Sequence, residues 1–118
     1  MKRQKLKKEI SERKVRQIMR HAFHGEVKIK SISLLKGGFF NTCYKVTFEK
    51  RRPVILRISP SREKALLGHE RALLRREARL LSEIRKGGIP VPRILFRDFT
   101  GRVIPRDYII MEYREGAN

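Results

Sequence analysis

The sequence predicts an α+β domain: a five-stranded antiparallel sheet with two helices. Two observations predict it. Apolar residues recur at helical spacing near the N-terminus and again over residues 62–86. Between and after those stretches, short runs alternate apolar with polar residues, separated by Gly and Pro. The 118 residues, 40% of them hydrophobic, are enough for one ordinary core.

Leu6, Ile10, Ile18, Met19, Ala22 and Phe23 share one face of a basic amphipathic helix over residues 4–23, with His24-Gly25 as its stop. Ile32 and Leu34 then alternate up to Gly37-Gly38. Ile29 is out of phase with them, so this strand begins near Lys30 or carries a bulge. Tyr44, Val46 and Phe48 alternate next, and Val54, Leu56 and Ile58 follow a turn ending at Pro53. These are three successive antiparallel strands. Leu66, Leu67, Leu73, Leu74, Ala78, Leu81 and Ile84 form one stripe of a helix over 62–86, ended by Gly87-Gly88. Residues 93–99 and 107–113 read as a hairpin around Thr100-Gly101. The chain divides into the basic helix, residues 1–25, and the sheet-bearing part, residues 26–118.

Charge is uneven. Thirty Lys and Arg face twelve Asp and Glu, a net +18, and residues 1–30 hold eleven of the cations against three Glu. Lys2, Arg3, Lys5, Lys7, Lys8, Arg13, Lys14 and Arg16 would attract nucleic acid or an anionic surface. The plainer reading is a solvated helix face, because charge alone reads no base. Cys43 is the only cysteine, which excludes a disulfide scaffold and a cysteine zinc cage. No apolar run approaches the roughly 18 residues of a membrane span. The basic N-terminus lacks the apolar segment of a secretory signal. A cytoplasmic protein is the expectation.

The residues that carry chemistry follow the same order. Gly37-Gly38 sits in a loop between two strands, Leu35-Lys36-Gly37-Gly38-Phe39-Phe40-Asn41-Thr42-Cys43-Tyr44, and such a loop can lay backbone N–H groups on phosphates. Pleating puts Ile55 and Arg57 on one face of the third strand, opposite Val54, Leu56 and Ile58. Glu70 and Glu77, seven apart on the helix, are both candidate partners for Arg57. The last strand runs Tyr108-Ile109-Ile110-Met111-Glu112-Tyr113. Asp98-Phe99-Thr100-Gly101 reads as turn chemistry. His21, His24 and His69 read as helix-surface or helix-end residues.

Taken in order, these segments resemble the N-terminal lobe of the aminoglycoside phosphotransferase family, which has a protein-kinase-like fold. Gly38-Phe39-Phe40-Asn41-Thr42-Cys43-Tyr44-Lys45-Val46 is similar to the family's loop, and Val54-Ile55-Leu56-Arg57 to its phosphate-binding strand. Arg76-Glu77-Ala78-Arg79-Leu80-Leu81 resembles its R-E-A-x-L-L helix. Ile89-Pro90-Val91-Pro92-Arg93-Ile94-Leu95 resembles its crossover, and Met111-Glu112-Tyr113 its hinge.

The resemblance implies ATP as cofactor. Gly37, Gly38 and Asn41 would shape the loop over its phosphates, and Cys43 and Ile55 would cover the adenine. Arg57 would contact phosphate and pair with Glu77, preferred over Glu70 by its sequence context. Met111 would close the rear of the pocket. Glu112, Tyr113 and Arg114 would form the hinge, with the Glu112 carbonyl and the Arg114 N–H on the adenine edge. The family's catalytic and Mg²⁺-binding carboxylates, and most contacts to its hydroxyl-bearing acceptor, belong to a C-terminal lobe that this chain does not reach. The expectation is therefore the nucleotide-binding N-lobe of an ATP-dependent small-molecule phosphotransferase, truncated and inactive alone, with Mg²⁺ bound only in a two-lobed protein. The alternative is a basic nucleic-acid-binding or non-catalytic interaction module.

Overall fold

The computed structural model describes residues 10–25, 27–35, 42–59 and 69–114. The first helix, α1, spans Glu12–Ala22. Apolar spacing alone predicts a single helix through residue 11, but Ser11 is extended, at φ −82° and ψ 163°. Its hydroxyl accepts the Lys14 N–H at 3.2 Å, which satisfies one of the donors a helix start leaves open. A serine that caps cannot also continue a helix, so α1 begins there. Residues 4–9 of the predicted helix lie outside the described residues.

The far end turns on His24, at φ 55°, one residue before the glycine that the sequence suggests as the stop. The Gly25 N–H reaches back to the Arg20 carbonyl at 3.0 Å. Phe23 then meets the edge of Phe48, with centroids 6.0 Å apart, and the Arg51 guanidinium lies 4.0 Å from the Phe23 ring centre. These contacts fix the C-terminal end of α1 to the sheet.

The strands are β1 (Ile29–Leu35), β2 (Thr42–Phe48), β3 (Val54–Ile58), β4 (Ile94–Asp98) and β5 (Tyr108–Glu112), arranged β1-β2-β3-β5-β4 with every neighbouring pair antiparallel. The register of β1 against β2 shifts between Ile29 and Ser31, which is why Ile29 falls out of phase in the sequence. The second helix, α2, spans His69–Lys86. The first residues of the predicted 62–86 helix lie outside the described residues. Its end is a Schellman turn: Gly88 sits at φ 93°, its N–H bonds the Arg85 carbonyl at 3.0 Å, and the Ile89 N–H reaches Ile84 at 3.4 Å.

Among the described residues, each face of the sheet carries one helix. On one side, Val15, Ile18, Met19 and Ala22 of α1 form a cluster with Tyr44, Val46, Phe48, Val54, Leu56, Ile58, Tyr108 and Ile110. On the other, Leu74 and Ala78 of α2 pack with Ile109 and Met111. Alternation along each strand makes this possible, because successive side chains leave by opposite faces. Fully burying one such aliphatic side chain contributes about 2 kcal/mol, and among the described residues more of them are buried on the α1 face. The first helix and the sheet thus share one core, while Arg13, Arg16 and Arg20 remain exposed on the outer side of α1.

Candidate functional site

The candidate residues collect on the α2 side of the central strands. Register sets Cys43 opposite Arg57 and Lys45 opposite Ile55 across β2 and β3. It sets Arg57 opposite Ile109 and Ile55 opposite Met111 across β3 and β5. One half-buried surface therefore carries a thiol, two aliphatic residues, a methionine and two cations.

Arg57 leaves this surface toward α2 and forms a hydrogen-bonded ion pair from Nη1 to Oε2 of Glu77. Leu74 and Ala78 hold that side of α2 against the sheet, and Glu77 flanks them. The Arg57 Nε is buried and has no hydrogen-bond partner among the described residues. A buried donor without a partner is costly, and an anion placed there would satisfy it. Burial raises the Cys43 thiol pKa. Arg57 opposes that rise by its charge and a hydrogen bond, and Glu77 adds to it. Cys43 is thus a neutral, weakly polar surface.

At the end of β5, the Lys45 Nζ lies 4.0 Å from the centre of the Tyr113 ring. The next-door Glu112 is fixed from outside the sheet: its Oε1 accepts the Arg93 N–H at 2.9 Å and lies 3.7 Å from Arg114 Nε. Glu112, Tyr113 and Arg114 also line a groove of about 410 Å³ with Arg51, Arg52, Pro53, Val54 and Leu95. The structure therefore brings Cys43, Ile55, Arg57, Glu77 and Met111 together and places Glu112, Tyr113 and Arg114 at the rim. Gly37, Gly38 and Asn41 lie outside the described residues, as does the side chain of Glu70.

Asp98 belongs to a different environment. Its Oδ1 accepts the Thr100 N–H at 2.9 Å and the Thr100 hydroxyl at 2.5 Å, and its Oδ2 accepts the Tyr108 hydroxyl at 3.2 Å. It is a turn residue. Asp107, the other aspartate, is buried against Arg75 of α2. Sequence reasoning missed Lys45 and the Arg75–Asp107 pair. Lys45 was accessible to it, since it alternates with Cys43 on the same face. Asp107 was not, because no local pattern announces a partner 32 residues away. Among the described residues no three His, Cys, Asp or Glu side chains converge as a metal site, and no helix is long and apolar enough to cross a membrane.

The sequence model of the phosphotransferase enzyme family matches residues 31–118. The chain belongs to this family. A solved structure agrees on the fold: a protein of Ralstonia eutropha JMP134, assigned to the aminoglycoside phosphotransferases, superposes with a TM-score of 0.63 at 22% identity. The superposition covers 90% of this chain and 28% of that one, so the chain spans little more than a quarter of the neighbour's length. None of the curated proteins matches. Within the phosphotransferase family, five antiparallel strands with α2 on one face constitute the kinase-like N-lobe, and α1 covers the other face here.

Proposed function

We propose that these residues form the nucleotide-holding lobe of an ATP-dependent phosphotransferase acting on a hydroxyl group of a small molecule. The observation that carries this reading is Arg57. It is a strand cation oriented by Glu77, with a buried Nε that has no hydrogen-bond partner among the described residues, beside the apolar surface of Cys43, Ile55 and Met111. A flat, weakly polar base suits the apolar part and a phosphate suits the fork of the guanidinium. The loop with Gly37, Gly38 and Asn41 would supply backbone donors to the phosphates, and Glu112, Tyr113 and Arg114 the edge contacts to adenine.

Phosphoryl transfer is largely positioning and electrostatics, and it needs a carboxylate near the attacking hydroxyl. The chain's two aspartates are both engaged in holding the fold. A lone cysteine and dependence on ATP suit a cytoplasmic protein.

The test is an equilibrium titration of residues 1–118 with ATP, alongside a phosphate-release assay. Saturable binding is expected, weakened about tenfold by Arg57→Ala, a loss of about 1.4 kcal/mol. No turnover is expected from these residues alone. No binding of ATP, or binding indifferent to Arg57, overturns the reading. One observation favours a second reading: Arg13, Arg16 and Arg20 of α1 are exposed and have no carboxylate partner among the described residues. Steeply salt-dependent RNA binding that needs those three arginines would support a nucleic-acid module instead.

A further inference from the structure

The ion pair between Arg57 and Glu77 joins a strand to a helix, and next to it Ser59, Arg75 and Asp107 tie the same two elements together. Ser59 follows β3, two residues beyond Arg57. Arg75 lies on α2, two residues before Glu77. Both bond Asp107, immediately before β5. The Ser59 N–H donates to the Asp107 carbonyl at 2.9 Å, and the Asp107 N–H donates to the Ser59 hydroxyl at 3.2 Å. The Arg75 guanidinium grips the Asp107 carboxylate with two bonds, Nε to Oδ2 at 2.6 Å and Nη2 to Oδ1 at 3.2 Å. Ser59 is fully buried and Asp107 is 1% exposed. The same guanidinium lies 5.1 Å from the centre of the Phe99 ring, and Phe99 packs against the α2 cluster.

Helical geometry gives this arrangement a mechanical meaning. Each residue advances about 100° around the axis, so Arg75 and Glu77 stand on opposite flanks of the buried Leu74 and Ala78 stripe. One flank is tied to β3 through Arg57, the other to the start of β5 through Asp107. Rotation of α2 about its axis must break one tie or the other.

We propose that Arg75 and Asp107 are positioning residues that hold α2 in the rotation at which Glu77 orients Arg57. The proposal rests on the nucleotide reading for its functional consequence, while the geometric claim stands apart from it. Asp107 acts as the hub because it fixes both the exit of β3, through Ser59, and the helix, through Arg75. Its effect on a bound nucleotide is exerted through Arg57, so it concerns phosphate and not adenine.

The experiment uses Arg75→Gln and Asp107→Asn in the 118-residue chain. It measures affinity for ATP and for adenosine, and the rate at which iodoacetamide alkylates Cys43. As the chain's only cysteine, paired in register with Arg57, Cys43 reports on the ion pair without any nucleotide. The expected result is a loss of about tenfold in ATP affinity with adenosine affinity unchanged. Cys43 should alkylate faster, because releasing Glu77 takes a negative charge away from the thiol and leaves Arg57 to favour its thiolate. Asp107 is buried and its substitution can cost the fold. Arg75, with 45% of its side chain exposed, gives the variant that stays folded. A folded Arg75→Gln chain with the wild-type ratio of ATP to adenosine affinity and the wild-type alkylation rate overturns the proposal. So does an equal loss of both affinities with an unchanged rate, which marks a structural role only. If the wild-type chain binds neither ligand, the nucleotide reading falls. The Cys43 rate then decides alone: faster alkylation in Arg75→Gln supports the clamp, and an unchanged rate overturns it.

Discussion

Asp98 shows how a carboxylate is kept charged away from water. Burial pushes its pKa up, but the two bonds from Thr100, the Tyr108 hydroxyl and nearby His21 together hold it below the usual aspartate value. A depressed carboxylate stabilises the fold above its unfolded pKa, and that contribution is lost as pH falls below about 4. Tyr108 shifts the other way: burial first, then the Asp98 charge, raise its phenol well above the ordinary 10.0. Its protonated form is favoured in the folded chain, so stability is whole below pH 10 and declines as pH rises further. Tyr108→Phe should cost about 1–2 kcal/mol at pH 7 by removing a donor from a buried acceptor. It should also flatten the alkaline decline in stability. Urea unfolding at pH 7 and pH 10.5 checks both, and equal stability of variant and wild type at pH 7 would show that this bond contributes nothing. The turn role of Asp98 was legible because Asp-x-Thr-Gly is a local pattern. The Tyr108 bond was not, because it depends on which strand pairs with which.

Among the elements, the strands were the most legible. Tyr44, Val46 and Phe48, and Val54, Leu56 and Ile58, alternate because one face of β2 and β3 is buried under α1, and burial is what alternation records. Helix ends were less so. Hydrophobic spacing carried the predicted first helix through Ser11, since periodicity counts apolar residues and is blind to a side chain that takes a backbone N–H. Ser11→Ala should destabilise the chain by about 1 kcal/mol through loss of the cap, measured by thermal unfolding. Gly88→Ala should cost about 1 kcal/mol for a different reason. A Cβ there would meet nothing within 4 Å, so the penalty is purely the left-handed backbone at φ 93°. Insensitivity of the melting temperature to Gly88→Ala would mean that the turn after α2 rearranges freely.

At the scale of the molecule, the three layers were only partly legible. The sequence separates a basic helix from a sheet, and amphipathicity shows that the helix has an apolar face. Which face of the sheet receives it is a packing outcome. Val15, Ile18 and Met19 answer it, each at most 1% exposed against the sheet. Ile18→Ala should therefore cost about 3 kcal/mol, as a core truncation does. Deleting residues 1–25 should uncover Val46, Leu56, Ile58 and Ile110 and produce a chain that binds hydrophobic dyes or aggregates. A deletion variant that stays monomeric and dye-silent would show α1 to be a dispensable appendage. Arg57, Glu77 and Met111 could be named as candidates from the sequence because each sits in a strand or helix whose spacing is a local pattern. The bracing of the site was not legible, because Asp107 becomes meaningful only when three elements converge.

The most direct test of the central claim is a residue-resolved NMR titration of the ¹⁵N-labelled chain with ATP and, separately, adenosine. Saturable shifts are expected at Cys43, Ile55, Arg57, Met111 and Tyr113 with ATP, and at the same set without Arg57 for adenosine. Shifts confined to Arg13, Arg16 and Arg20 on the outer face of α1, or no shifts at all, would contradict it.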